Sequence, residues 1–313
     1  MKSKRLNIIE MFKKEPVWFI LLSSAILFSV LSGDFLTIRN ISNIILQSSI
    51  LGIMAVGMTG LMISGYFDIS VGSILALTAA VAVSITGYSI PLAIGATLLC
   101  GIILGVVNGL LVTKAKVNAF IVTLAAMVGV RGLVYVYTGE REIIGLAIEF
   151  EYLAAGKIAF IPIPIIIWIV TIVVAEWALR KTVYGRNTYA IGGDAEATKN
   201  AGVPVDRYIL GFFMLNGFFV AIAGLVLASR LNAATPTLGI GQEMLVIISV
   251  VLGGTKLTGG YGNMIKTVAG VLTIGMIQNG LNILNVHHFY SMLIMGAIFI
   301  FVIFMDAKLS KVK

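Results

Sequence analysis

The feature of this sequence that most constrains its fold is the recurrence of long apolar stretches along most of its length. A stretch of about 20 apolar residues can cross the hydrocarbon core of a bilayer as an α-helix. Hydrophobic residues make up 59% of the 313 residues, charged residues only 12%, and the mean hydropathy is +1.03. A soluble core of this size does not need so apolar a composition. The chain is therefore predicted to be an all-α, polytopic membrane protein.

We predict about ten membrane-spanning helices, because a helix satisfies its own backbone hydrogen bonds in lipid. The polar stretches between them are too short to bury a soluble core, so residues 1–313 are predicted to form a single transmembrane domain. The third and eighth spans are short. The predicted spans are Val17–Leu36, Ile41–Ser64, Val71–Thr86, Ser89–Val112, Ala119–Thr138, Phe160–Leu179, Tyr208–Ser229, Gln242–Leu257, Met264–Ile283 and Phe289–Met305.

The basic residues predict the orientation of the spans, because short loops rich in Lys and Arg stay in the cytoplasm. With the N-terminus inside, most of the 22 basic residues fall in cytoplasmic segments. Both termini and the loop 180–207 are therefore predicted to be cytoplasmic, and the loop Glu140–Glu151 to face outward. Basic residues spread over several short loops form no continuous groove for nucleic acid. The basic residues predicted to lie elsewhere are Arg39, Arg141, Lys157 and Arg230 outside, and Arg131 within a span.

The polar segment Arg180–Arg207, which interrupts the series of apolar stretches, carries the signals of one short helix. It is called the polar interruption below. Asp194 is placed to accept hydrogen bonds from the first-turn amides as an N-cap. Gly202 suits the left-handed position after the helix, and Pro204 prevents continuation. A short capped helix on the surface of a membrane protein predicts contact with a partner.

Two glycine-rich segments resemble each other, Gly101–Leu110 in the fourth predicted span and Gly270–Leu281 in the ninth. Spans five apart run through the membrane in opposite directions, as in an inverted repeat, and transporters bind substrates at the interface of such repeats. Chance similarity between glycine-rich packing helices explains the likeness equally well.

Ionisable residues inside spans indicate function, because a charge near the bilayer centre costs at least ~2.5–3.5 kcal/mol on insertion scales. Only Arg131 is predicted to lie well inside a span. It either faces a polar pathway with Asn118 and Thr123 or pairs with backbone carbonyls or Glu243, and we favour the second interpretation.

Two carboxylates are predicted to have structural roles near the membrane surface. Asp68 precedes the third span and is predicted to cap it. Glu176 lies within one turn of Arg180 and is predicted to reach the cytoplasmic interface.

The sequence contains no recognisable catalytic or metal-binding pattern. Gly253–Gly260 lacks the spacing of a phosphate-binding loop. The histidines His287 and His288 are adjacent, with no acidic or cysteine ligand nearby, and Cys100 is predicted to pack as a small apolar residue. We therefore predict no catalytic residue, no metal, no cofactor and no enzymatic activity for this chain.

Three functional classes remain. A transporter driven by an external partner explains the capped surface helix and the scarcity of charges inside spans. An ion-coupled carrier or channel would normally place Asp or Glu at mid-membrane. A scaffold without transport activity is the third class.

Short segments in a fixed order along the chain carry a family resemblance. They are Ala55–Thr59, Asp68–Ser73, Ala119–Leu124, Arg131–Gly132, Val136–Thr138, Gly185–Arg186, Ala190–Gly193, Ala197–Thr198, Arg230–Leu231, Pro236–Thr237, Val251–Thr255 and Asn279–Asn282. From about Asn40 to Asp306, the chain resembles the permease subunits of bacterial ABC sugar importers, and most closely the ribose-type permeases.

The resemblance implies a ten-helix, vitamin-B12-importer-like (type II importer) fold with an inverted repeat, in the bacterial cytoplasmic (inner) membrane. It implies a permease dimer, most simply a homodimer embedded in lipid, with ABC ATP-binding subunits and an extracytoplasmic sugar-binding protein. It also makes the Asp194–Gly202 helix the element that docks on the ATPase. The residues implied in this coupling are Gly192, Gly193, Asp194, Glu196, Ala197 and Gly202.

Two positions depart from the family pattern. Family members often have Asn at the position of Asp194, and this change keeps the capping chemistry. They often have Asp at the position of Leu245, and its absence puts a strict ribose assignment in doubt. Related permeases carry autoinducer-2 or nucleosides, which stay open as alternatives, as does an ion-coupled carrier.

The mechanism expected is alternating access without covalent chemistry, driven by ATP in the partner subunits. Sugar hydroxyls need hydrogen-bonding partners along the pathway. The candidate pathway residues are Asn108, Asn118, Thr123, Arg131, Gln278, Asn279 and Asn282.

Overall fold

The computed structural model describes residues 16–145 and 147–310, and these form mainly α-helices. The basic residues at 1–15 and 311–313, which support the predicted orientation, lie outside the described residues. The α-helices are α1 Pro16–Leu31, α2 Ile38–Ile63, α3 Val71–Thr86, α4 Ile90–Thr113, α5 Ala119–Thr138, α6 Tyr152–Ala155, α7 Ile163–Lys181, α8 Val183–Gly193, α9 Ala195–Asn200, α10 Val205–Leu231, α11 Gln242–Leu252, α12 Met264–Ile283 and α13 His288–Ser310.

Six helices in the described ranges are long and apolar enough to cross a bilayer, namely α2, α4, α5, α7, α10 and α12. Shorter apolar helices are α1, α3, α11 and the His288–Val302 part of α13. Each predicted span coincides with one of these helices, and the ends differ by a few residues. The predicted bounds of the third, fifth and ninth spans agree with α3, α5 and α12.

Two predicted helix ends were wrong for local reasons. The eighth span was predicted to reach Leu257, but α11 ends at Leu252 because Gly253 caps it and Gly254 adopts a φ of +83°. The sixth span was predicted to begin at Phe160. Residues 157–162 instead form a hairpin of β2 Lys157–Ile158 and β3 Ile161–Pro162, so α7 begins later.

A second helix, α8, lies in the predicted polar interruption and was not predicted from the sequence. The hydroxyl of Thr182 accepts the N–H of Gly185 at 3.2 Å and caps its start. The interruption therefore consists of two consecutive helices, α8 and α9, rather than one.

Helix α2 lies at the centre of the molecule, and every residue from Ser48 to Ile63 is buried. Helix α10 packs against it from one side and α12 from the other. The helices α3, α4 and α10 contact one another, and so do α11, α12 and α2.

Glycines bring α4 and α10 into backbone contact. A Cβ added to Gly101 would lie 2.4 Å from the carbonyl oxygen of Gly217, and one added to Gly105 would lie 2.3 Å from that of Phe213. Lipid is as apolar as a leucine side chain, so helices in a membrane associate through such close packing of small residues. Gly101 and Gly105 therefore allow the close packing of α4 against α10.

The connections at one end of the bundle form a small ordered cap. Strand β1, Ile143–Ile144, pairs antiparallel with β4, Ala233–Ala234. A 3₁₀-helix, Ile148–Glu151, follows β1, and the hydroxyl of Ser229 donates to the carbonyl of Phe150 at 2.6 Å. These bonds fix the 139–162 loop to the end of α10.

We predict that Gly105→Ala destabilises the protein, because the new methyl group would meet the backbone of α10. Overpacking of this kind costs roughly 1–3 kcal/mol. Gly95→Ala on the same helix is the control, since a Cβ there has no atom within 4 Å. Thermal unfolding of the detergent-solubilised protein measures both. Equal melting temperatures for the two variants would contradict the proposed packing.

Candidate functional site

The N-terminal end of α9 has the predicted cap. The Asp194 Oδ1 atom accepts the backbone N–H of Ala197 at 2.9 Å, and Asp194 has an extended backbone. A carboxylate here also faces the positive end of the helix dipole. The predicted N-cap is confirmed.

The C-terminal end of α9 is closed by the predicted glycine. Gly202 has a φ of +87°, which is the left-handed region. Its N–H donates to the carbonyl of Lys199 at 2.9 Å, and the N–H of Val203 donates to that of Thr198 at 3.3 Å. This pair of bonds is a Schellman motif. The sequence therefore defines both ends of a helix of six residues.

Helix α9 lies on the surface. Thr198 is its buried residue, and the hydroxyl of Thr198 donates back to the carbonyl of Asp194 at 2.7 Å. Glu196 and Ala197 are exposed. The helix therefore presents most of its side chains to a possible partner rather than to the core.

Gly192 joins α8 to the interior of the molecule. A Cβ at this position would lie 1.8 Å from the carbonyl oxygen of Ile63, at the end of α2, and 2.3 Å from the N atom of Gly260. The N–H of Gly260 donates to the same Ile63 carbonyl at 2.9 Å. The end of α8, the end of α2 and the loop before α12 therefore meet in backbone contact. Gly193, by contrast, has open space around it.

Tyrosines also hold α8 in place. The hydroxyl of Tyr189 donates to the carbonyl of Gly262 at 3.0 Å. The rings of Tyr184 and Tyr208 stack with centroids 5.0 Å apart. Burial, and to a lesser extent the neighbouring Tyr208, raises the pKa of the Tyr184 phenol, so this side chain stays neutral at physiological pH.

A buried polar network surrounds Asp68. Its Oδ1 atom accepts the backbone N–H of Ser70 at 2.8 Å and the Ser70 hydroxyl at 2.5 Å. Its Oδ2 atom accepts the side-chain amide of Asn216 at 3.2 Å, and the amide of Asn108 donates to the Ser70 hydroxyl at 3.1 Å. Asp68, Ser70 and Asn216 are fully buried.

The role predicted for Asp68 needs correction. Ser70, not Asp68, stands at the N-cap position of α3, and Asp68 closes the turn that precedes it. Asp68 is buried inside the helix bundle, against Asn216 near the middle of α10, rather than placed at the surface of the bundle. Arg131 is therefore not the only charged residue well inside the bundle. The spacing of Asp68 and Ser70 is a local turn signal that the sequence shows. The contact of Asp68 with Asn216 was missed, because Asn216 is distant in sequence.

Arg131 pairs with backbone carbonyls, which confirms the interpretation favoured from the sequence. Its Nη1 atom donates to the carbonyls of Pro236 and Leu238 at 2.8 and 2.7 Å. These bonds hold the chain before α11 against α5. They also direct the guanidinium away from a shared site with Asn118 and Thr123.

Several predicted pathway residues bond within their own helix. The Asn118 Oδ1 atom caps α5 by accepting the N–H of Phe120 at 2.9 Å. The hydroxyl of Thr123 is buried and donates to the carbonyl of Ala119 at 2.9 Å. Asn118 and Thr123 therefore make these bonds within α5, whereas Asn108 bonds to Ser70.

The α12 candidates divide into two groups. Asn279 is buried and pairs with Asn40 through two reciprocal amide hydrogen bonds of 2.9 and 3.0 Å. Gln278 and Asn282 are exposed on the same helix. Of these three residues, only Gln278 and Asn282 present their amides at the surface.

Ion pairs lie at the end of the bundle near α9. Glu176 pairs with Arg180 at i and i+4 of α7. Lys116 Nζ contacts Asp206 Oδ2 at 2.9 Å. Both basic side chains are more than half exposed, so these pairs contribute little to stability.

No group of three or more His, Cys, Asp and Glu residues suited to a metal ion is found within residues 16–145 and 147–310. His287 and His288 are exposed. Cys100 is partly buried, as expected for a packing residue.

Comparison with known proteins identifies the family. Residues 40–303 match the model of the permease component of the branched-chain amino acid transport system. The chain belongs to this permease family. The ribose import permease protein RbsC of Haemophilus influenzae is 40% identical over 293 residues, which cover 91% of this chain and 90% of the relative. No solved structure matches the chain.

Other relatives extend the comparison. RbsC of Bacillus subtilis is 39% identical over 313 residues, covering 99% of this permease and 97% of the relative. The L-arabinose transport system permease protein AraH of Escherichia coli is 38% identical, covering 90% and 86%. The resemblance to ribose-type permeases drawn from the sequence is confirmed.

We predict that Gly202→Val loosens α9, because a β-branched residue in the left-handed region costs roughly 1–2 kcal/mol. The space around Gly202 is open, so the effect would come from the backbone alone. Gly193→Val is the control, since that glycine has open space and no positive φ. Amide hydrogen exchange over 195–203 measures the effect. Unchanged exchange in Gly202→Val would be inconsistent with the capping geometry.

Proposed function

We propose that this chain is the membrane-spanning subunit of an ATP-driven importer that moves a ribose-type monosaccharide across the bacterial cytoplasmic membrane. The observation that carries the proposal is the 40% and 39% identity to ribose import permeases over nearly the whole chain. The chain itself is a transport component and not an enzyme.

We further propose ten membrane-spanning helices arranged as two inverted repeats of five. The support is the helix contacts: α3, α4 and α10 contact one another, as do α11, α12 and α2. In the numbering of the predicted spans, α3, α4 and α10 are spans 3, 4 and 7, and α11, α12 and α2 are spans 8, 9 and 2. Each span of the first set therefore has a counterpart five spans away in the second set, as two inverted repeats of five require. The glycine-rich segments of α4 and α12 occupy equivalent places in the two sets.

The proposed orientation places α8 and α9 in the cytoplasm and the β1–β4 cap outside. The distribution of basic residues supports it, because the segment from the end of α7 to the start of α10 carries Arg180, Lys181, Arg186, Lys199 and Arg207. Helix α9 then faces an ABC ATP-binding subunit. The cap faces an extracytoplasmic sugar-binding protein, and a second copy of the permease completes the assembly in the lipid.

The proposed coupling surface consists of Gly192, Gly193, Asp194, Glu196, Ala197 and Gly202. A short helix capped at both ends is rigid, so force on it is passed to its base rather than absorbed. At that base, Gly192 touches the end of α2 and the loop before α12. A displacement of α9 by the ATPase would therefore reach the central helix α2 directly.

Alternating access then proceeds without covalent chemistry. Closure of the ATP-binding subunits moves α9, and the packed helices reorient between an outward-open and an inward-open arrangement. Gln278 and Asn282 are proposed to line the pathway. Asn118, Thr123, Arg131 and Asn279 bond within the protein, so we assign them supporting roles.

One observation favours a second function, an ion-coupled carrier. Asp68 is a fully buried carboxylate inside the helix bundle, and intramembrane carboxylates carry protons or sodium ions in secondary transporters. Its bonds to Ser70 and Asn216 favour instead a structural role that fixes the start of α3 to α10.

We predict that transport follows ATP and not an ion gradient. Reconstituted with its ATP-binding subunit and sugar-binding protein, the permease should accumulate D-ribose with ATP, and ionophores should leave uptake unchanged. Asp68→Asn should transport without a change in ion dependence, because an amide keeps one acceptor for Ser70. Accumulation by the isolated chain that disappears with an ionophore would refute the importer and identify Asp68 as the coupling group.

A second prediction concerns Gly192. Gly192→Ala places a methyl group against backbone atoms of Ile63 and Gly260, and overpacking costs roughly 1–3 kcal/mol. Such a coupling loss corresponds to a fall in ATP-driven uptake of about fivefold or more. Gly95→Ala on α4, outside this surface and with open space around it, should retain uptake.

Uptake and ATP hydrolysis are measured on the same reconstituted samples, with membrane expression as the check on folding. Equal uptake by Gly192→Ala and Gly95→Ala would remove the support for coupling through this contact.

A further inference from the structure

A polar cavity lies at the end of the bundle that carries the β1–β4 cap. It has a volume of about 190 Å³, with room for several water molecules or one small polyol. Residues of four central helices line it: α2, α10, α11 and α12. Its polar walls are Gln47, Ser48, Arg230, Gln242 and Gln278.

The depth of the cavity follows from the helices. Arg230 is in the last turn of α10, and Gln242 is the first residue of α11. Between these two residues lies β4, which pairs with β1 in the loop proposed to face outward. Gln47 and Ser48 lie further along α2, so the cavity leads inward from the outer face.

Ser48 contributes a buried hydroxyl to the wall of the cavity. The residue is only 1% exposed, and among the described residues its Oγ atom has no hydrogen-bond partner. A buried hydroxyl without a partner loses its interaction with water and gains nothing in return. Gly275 forms the wall beside it, since a Cβ there would lie 2.0 Å from Ser48 Oγ.

The chemistry of the walls selects a class of ligand. Each glutamine amide donates and accepts, the serine hydroxyl does both, and the guanidinium donates from a planar fork. No carboxylate lines the cavity, so it lacks a counter-charge for a cation. Neutral molecules rich in hydroxyl groups match three amides, one hydroxyl and one guanidinium in a small space.

We infer that this cavity is a binding site for a monosaccharide, formed within one permease chain on the outer side of the membrane. The inference rests on the proposed function and adds a site to it. A sugar released from the binding protein would be held here by Gln47, Ser48, Arg230, Gln242 and Gln278 before the helices reorient.

Cysteine protection on the isolated permease tests the site directly. In a Cys100→Ala background, Gln278→Cys is exposed to a polar thiol reagent, and D-ribose should slow its modification. Tyr88→Cys is the control, because Tyr88 is exposed in the loop between α3 and α4, away from the cavity. D-ribose should leave its modification unchanged.

A comparison of two serine variants tests whether the Ser48 hydroxyl contacts the sugar. Ser48→Ala, added to Gln278→Cys, should raise the D-ribose concentration for half protection roughly two- to tenfold, the effect of one neutral hydrogen bond. Ser49→Ala is the matched control: Ser49 is buried on the same helix, but its hydroxyl already donates to the carbonyl of Leu46 at 2.7 Å. Gly275→Ala, which narrows the cavity, should weaken protection further.

The outcomes separate the two proposals. Absence of protection, equal effects of Ser48→Ala and Ser49→Ala, or protection by D-ribose 5-phosphate but not by D-ribose would overturn the monosaccharide site. If the full assembly imports D-ribose while protection is absent, the transport function stands without this site. If the assembly imports no sugar, the function fails, and protection of the isolated permease still decides the site.

Discussion

A bilayer offers no water to the polar atoms of a chain that crosses it, and this constraint governs the interior of the permease. Backbone groups are satisfied within helices, and helices can then approach closely only where side chains are small. Gly101, Gly105 and Gly217 bring α4 and α10 into backbone contact on this basis. Some polar side chains inside the bundle bond to carbonyls of their own helix, as Thr78 and Thr113 do, and others bond to one another, as Asp68, Ser70, Asn108 and Asn216 do.

The sequence predicts the helices well because each apolar run must span the same thickness of lipid. It also predicts both ends of α9, since Asp194 and Gly202 act on their immediate neighbours. Helix α8 was missed because its sequence mixes glycine, polar and aromatic residues and has no long apolar run. The end of α11 depends on the positive φ of Gly254, which an apolar count ignores.

The candidate site is less predictable because its partners are distant in sequence. The hydrogen bond between Asp68 and Asn216 joins residues 148 positions apart, and no local sequence pattern predicts it. Arg131 was open to two interpretations until the carbonyls of Pro236 and Leu238 were located. The polar cavity gathers residues from four helices, of which only Gln278 was selected from the sequence.

The pairing of Asn40 with Asn279 has a consequence for how α2 can move relative to α12. Two amides that exchange two hydrogen bonds fit in only one register of the helices. A slide of one turn, about 5.4 Å, would break both bonds together and leave two polar groups unsatisfied. Intermediate positions are therefore disfavoured, and the two helices are expected to change register in a single step or to move as one body.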